Sequence, residues 1–94
     1  MKMTVTIIIG NSDNKLTQTE WKDYCNRIHD MVRFFSTEIH FSAPSVGWAD
    51  WQNAAWIFEV DSARVRSIKD NIREIRRQYR QDSVAWVGGT TKFI

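Results

Sequence analysis

Arginines crowd the stretch from Ser62 to Gln81: Arg64, Arg66, Arg73, Arg76, Arg77 and Arg80, with Lys69 among them. A guanidinium group offers paired N–H donors that fit phosphate and carboxylate. Two tryptophans, Trp48 and Trp51, lie close together in a loop-like segment beside Gly47. Indole faces stack on flat rings and attract cations. Asn11, Ser12 and Lys15 belong to a polar run, Gly10 to Lys15, that directly follows an apolar one. These are the components of a site for a small anion carrying a flat ring, such as a nucleotide. In such a site Trp48 and Trp51 stack, and Arg77 and Arg80, with Arg76 beside them, meet phosphate. Asn11 and Ser12 donate hydrogen bonds, and Lys15 stands at the same edge.

Other chemistry is thinly represented. His29 and His40 are the two histidines, and no spacing joins either one to a nucleophile. His29 and Asp30 are neighbours on a helical pattern and diverge. No Cys/His pair has zinc spacing, so neither a metal site nor a cofactor is expected. The single Cys25 excludes an internal disulfide and falls on an apolar helical stripe, as a small core residue does. Asp70 and Glu74 are one turn apart among the arginines and neutralise that face.

The elements that must position these residues follow from periodicity. Residues 3–9 are β-branched and partly alternating, which predicts a strand. Thr17 and Glu20 fit a capping box with Leu16 and Trp21 as its hydrophobic staple, and helical spacing then runs from Trp21 to about Phe35. Glu38 to Ala43 alternates, which predicts Ile39, Phe41 and Ala43 on the core face and Glu38, His40 and Ser42 on the other. Pro44 closes that strand. Ala54 to Val60 reads as an interior strand. Val65, Ile68, Ile72, Ile75 and Tyr79 form one narrow stripe of a second helix capped by Asp61 or Ser62. Ser83 to Val87 reads as a last strand, Gly88-Gly89 as a turn, and Thr90 to Ile94 as a short edge strand.

The order β-α-β-β-α-β predicts a single ferredoxin-like α+β domain over residues 1–94, a four-stranded antiparallel sheet with both helices on one face. The uncovered face then carries Thr4, Thr6, Ile8, His40, Ala55 and Ile57, which invites a second copy of the chain. In this topology Gly10–Lys15, Ser45–Asn53 and Arg76–Gln81 meet at one end of the sheet, beside the N-terminus of the first helix, where free amides favour anions. Each feature also has a plain structural role. Arginines in a last helical turn offset the dipole, and the loop tryptophans can cover a sheet edge or fill a dimer contact.

Charge and composition narrow the class. The net charge is +2, yet residues 61–82 hold seven of the thirteen basic groups and four of the eleven acidic ones. The cationic field therefore belongs to the second half, and the whole is less basic than a general nucleic-acid binder. No apolar run approaches the roughly 20 residues that span a bilayer, and residues 1–9 read as a strand, not a signal peptide. A cytoplasmic setting is expected.

The run from Ile9 to Trp21, together with Arg80-Gln-Asp-Ser-Val-Ala-Trp86, resembles small uncharacterised α+β proteins of actinobacteria and their phages. That group has no established function and brings no functional residue with it. The resemblance implies a small accessory protein, and phages encode compact oligomers that sequester nucleotide immune signals. The leading expectation is a non-enzymatic, oligomeric binding protein for a small anionic ligand such as a nucleotide. One alternative is a dimeric α+β barrel enzyme with its site on the open sheet face around His40. The other is an interaction or inhibitor module acting through the Trp48/Trp51 loop and the cationic helix.

Overall fold

The β-branched run from Thr4 to Ile9 forms the centre of the sheet in a computed structural model, which describes residues 1–11, 14–46 and 51–94. Strand β1 (Lys2–Gly10) is followed by helix α1 (Gln18–Phe35), strands β2 (Glu38–Pro44) and β3 (Asn53–Asp61), helix α2 (Val65–Gln78) and strand β4 (Ala85–Thr90). The sheet order is β2-β3-β1-β4, and every pairing is antiparallel. This is the ferredoxin-like split βαβ arrangement expected from the element order.

One face of the sheet is covered. Val5, Ile7 and Ile9 from β1 and Trp56, Phe58 and Val60 from β3 point the same way, as residues two apart on a strand must. Tyr24, Ile28 and Val32 from α1 and Ile68, Ile72 and Ile75 from α2 close over them. The Tyr24 ring stacks on Tyr79 at 4.9 Å, which couples α1 to the end of α2. Helix α1 starts where its capping box requires. Thr17 Oγ1 accepts from the Glu20 N–H, and Glu20 Oε1 accepts from the Thr17 N–H, both at 3.1 Å. Asp61 caps a short 3-10 turn, Ser62–Arg64, that leads into α2.

Two expectations are corrected. Strict alternation fails in β2 because the register slips between Ile39 and Phe41. Ile39 pairs with Phe58, but Phe41 pairs with Ile57 and Ala43 with Ala55, so His40 is the extra residue of a β-bulge. Phe41 and Ala43 therefore lie on the open face, where Phe41 is 49% exposed, and Ser42 turns to the helix side. The second correction concerns Gly88-Gly89, which is strand, not turn, since β4 runs through both to Thr90 and residues 91–94 form no strand. Neither glycine has positive φ. Gly88 makes room instead: a Cβ there would stand 3.1 Å from the Trp86 indole nitrogen.

The bulge makes a stability prediction. Phe58→Ala, which empties a fully buried position, should cost about 3–5 kcal/mol in urea denaturation. Phe41→Ala, measured at high dilution, should cost less than about 1 kcal/mol. Equal costs would contradict the shifted register.

Candidate functional site

Helix α2 ends in a tight cap that organises its surroundings. The Gln81 N–H bonds the Arg76 carbonyl at 2.9 Å and the Arg80 N–H bonds the Arg77 carbonyl at 3.1 Å, the paired bonds of a Schellman motif. Arg80 holds the left-handed position of that motif at φ 57°, where glycine is usual. Its side chain is tied down by Glu20, with Nη2 to Oε2 at 2.8 Å. The Glu20 carboxyl lies below its ordinary pKa, first through the Thr17 backbone N–H and then through Arg80. The capping box of α1 and the C-cap of α2 are thus one linked structure.

The described ends of the expected loops meet at one end of the sheet. The Asn11 N–H bonds the Gln52 carbonyl, and Lys15 Nζ reaches the Arg80 carbonyl at 3.3 Å and Asp82 at 3.9 Å. Asn11 is buried, and its amide is spent within the protein. Its Oδ1 accepts from the Leu16 N–H, and its Nδ2 donates to the Leu16 carbonyl and to Gln52 Oε1. Trp51 is exposed beside this end, and Arg77 is exposed on α2. Ser12 and Trp48 lie outside the described residues. A cavity of about 310 Å³ opens here between Gly10, Asn53, Asp82, Ser83 and Ala85. Its lining includes one carboxylate and no cation, which does not suit an anion.

A cationic groove lies on the other side of the 82–86 segment. Lys69, Arg73 and Arg76 are spaced by four and three residues, so they line up on one face of α2. They bound a cavity of about 340 Å³, with Asp82, Ser83, Val84 and Trp86 on the β4 side. The Lys69 ammonium sits 4.9 Å above the Trp86 ring. Arg73 also pairs with Asp70 at 3.1 Å, and Arg76 Nη1 donates to the Gln81 carbonyl. Arg76, expected at the loop end, lines this groove and also donates to Gln81 at that end. Lys69, Arg73 and Trp86 were not expected in a site, although the i, i+4, i+7 spacing of the three cations was available in the sequence.

A third groove, between α1 and β2, brings Cys25, His29 and Ser42 together in a cavity of about 240 Å³. Its residue types suggest nucleophilic catalysis, but their state does not. Burial pushes the Cys25 thiol up to about 11, away from the reactive thiolate. His29 Nδ1 accepts a hydrogen bond from the Trp56 indole N–H at 3.0 Å, so the imidazole holds a core group and has no base function at that nitrogen. His40 is on the open sheet face as expected, with Nε2 3.6 Å from Glu59 Oε1.

No protein-family model matches the chain, and no curated protein matches it. Fourteen chains of solved structures do match. The de novo designed protein Foldit4 aligns over 98% of this chain and 100% of its own at 14% identity, with a TM-score of 0.70. A DUF3240 family protein from Shewanella baltica aligns over 99% and 92% at 7% identity, with a TM-score of 0.62. An uncharacterized protein from Thermotoga maritima aligns over 97% and 96% at 11% identity, with a TM-score of 0.52. At these identities the likeness is one of fold alone, and it agrees with the ferredoxin-like topology. No helix among the described residues is long and apolar enough to cross a membrane.

The Cys25 environment has a measurable consequence. With its pKa near 11 in the folded state and about 8.5 in an unfolded chain, the thiol should react with a disulfide reagent at pH 8 on the order of a hundredfold more slowly folded than in denaturant. Equal rates would show the thiolate to be available.

Proposed function

We propose that this protein is a non-enzymatic binder of a small anionic ligand of nucleotide class. We place the ligand in the groove between α2 and β4, and we propose that the chain assembles as a homo-oligomer through the open face of its sheet. The observation that carries the ligand reading is the convergence of Lys69, Arg73 and Arg76 on one wall, opposite Trp86 and Ser83. Its volume of about 340 Å³ falls within the range of small-molecule sites, about 300–1,000 Å³. Three cations face one carboxylate, Asp82, which is also drawn toward Lys15. Arg73 holds an exposed partner, Asp70, and Lys69 lies over the partly buried Trp86 ring. Such contacts are worth about 0–1 kcal/mol, and a phosphate displaces them at little cost. Trp86 then offers a flat apolar surface to the ring of the ligand.

Oligomerisation rests on the sheet face that the helices leave bare. Phe41, Ile57, Thr6 and Val87 form one continuous cross-strand row, and Ala43, Ala55, Ile8 and Ala85 form the next. Phe41, Ile8 and Val87 are each at least 40% exposed in the single chain. A two-fold axis through such a face buries the same rows against themselves.

Calorimetric titration with a panel of nucleotides tests the ligand reading. Lys69→Ala and Arg73→Ala should each weaken binding about tenfold or more, which is about 1.4 kcal/mol. Trp51→Ala should leave it unchanged. No binding by any member of the panel, or binding lost in Trp51→Ala and kept in the other two, rejects the groove. Light scattering after size exclusion tests the assembly. The wild type should elute as a multiple of the chain mass and Val87→Asp as a monomer; a monomeric wild type at high concentration rejects it.

A further inference from the structure

Three side chains outside the cationic groove converge at the polar end of the open sheet face. Glu38 and Glu59 are direct cross-strand partners, and His40, two residues beyond Glu38, is the bulged residue of β2. Strand periodicity and the bulge bring all three to the same face. One ligand atom from each lies within 4.8 Å of the others. His40 Nε2 stands 3.6 Å from Glu59 Oε1, and His40 Nδ1 stands 4.0 Å from Glu38 Oε1.

Glu59 is the residue that requires explanation. Its side chain is 4% exposed, and its Oε1, directed at His40, has no hydrogen-bond partner. A buried carboxylate oxygen left without a donor is costly. Lys2 Nζ comes only to 4.0 Å of the other oxygen. Thr4, the β1 neighbour of Glu59, has its hydroxyl engaged with Thr91 at 2.6 Å. Placing Glu38 directly opposite adds like-charge repulsion across the strands. Two facing carboxylates and an imidazole, at separations too long for hydrogen bonds, are spaced to share one cation.

We infer that Glu38, His40 and Glu59 bind a divalent first-row transition ion of zinc type. One imidazole and two carboxylates match the borderline preference of such ions better than that of calcium, which takes six or more oxygens, or of copper(I), which takes sulfur. Metal–ligand distances of about 2.1 Å place tetrahedral ligand atoms about 3.4 Å apart. The His40 Nε2–Glu59 separation is therefore already near that of a bound pair, and Glu38, exposed on the edge strand beside the other ring nitrogen, has to swing in from within 4.8 Å to join them. Three protein ligands leave one coordination position for a further ligand. The site stands apart from the α2–β4 groove and does not depend on its ligand.

Tag-free protein stripped with a chelator, then titrated with cobalt(II) and zinc(II), tests the assignment by calorimetry and by the cobalt absorption bands. The expected result is one ion per chain, affinity at least tenfold weaker in both Glu59→Gln and His40→Ala, and a zinc-dependent rise in Tm confined to the wild type. Metal-free Glu59→Gln should melt no lower than the wild type, because it removes a buried charge whose Oε1 accepts no hydrogen bond. Absence of stoichiometric binding, or an affinity that falls less than tenfold in either variant, overturns the site. A metal-free Glu59→Gln protein that melts well below the wild type identifies a simple His40–Glu59 ion pair and overturns it too.

Discussion

Strands β1 and β3 pair over nine residues, from Lys2 opposite Asp61 to Gly10 opposite Asn53. With that ladder in place, the facing of every side chain on the two central strands is settled, because a one-residue slip would turn Ile7 and Phe58 toward water and Thr6 and Glu59 into the core. Both helices dock on the side that carries Val5, Ile7, Phe58 and Val60. The outer strands can only extend this pattern, β2 along β3 and β4 along β1. The grooves and the bare face are what remain after that division.

The energetic weights of the two sides differ. Side chains such as Phe58 and Ile7, fully buried, contribute about 1.5–3 kcal/mol each from burial. The exposed pairs along α2, Arg73 with Asp70 among them, contribute about 0–1 kcal/mol. The core therefore fixes where α2 lies, and its cationic side chains are free to exchange partners. A groove built from Lys69, Arg73 and Arg76 is rigid in its backbone and adaptable in its charges. At the other end of the sheet the balance is reversed. There Asn11, Glu20 and Arg80 spend their polar groups on the capping of two helices, which is structural service.

Polar groups on the open face follow a third rule. Glu59 is a lone acid in an otherwise apolar run from Ala54 to Val60, and burial leaves it without enough donors. The bulge at His40 brings an imidazole beside it. The same bulge moves Phe41 outward, so the polar cluster and the apolar row that adjoins it have one origin.

Much of this was legible in the chain itself. The capping box at Thr17 and Glu20, the extent of α1, the apolar stripe of α2 and the β-α-β-β-α-β order all depend on interactions within a few residues, which local spacing encodes. Topology alone then placed Lys15 and Arg80 at one end of the sheet. The bulge was not legible, because an extra residue in β2 is defined only by what β3 sets opposite it. For the same reason the strand through Gly88 and Gly89 was hidden, since pairing with Val5 and Thr4 holds it extended. The sites divide along this line: residue types and helical spacing determined that a cationic stripe exists. Which arginines remain available, and that Glu38, His40 and Glu59 meet, was decided only by the packing of strands distant in sequence.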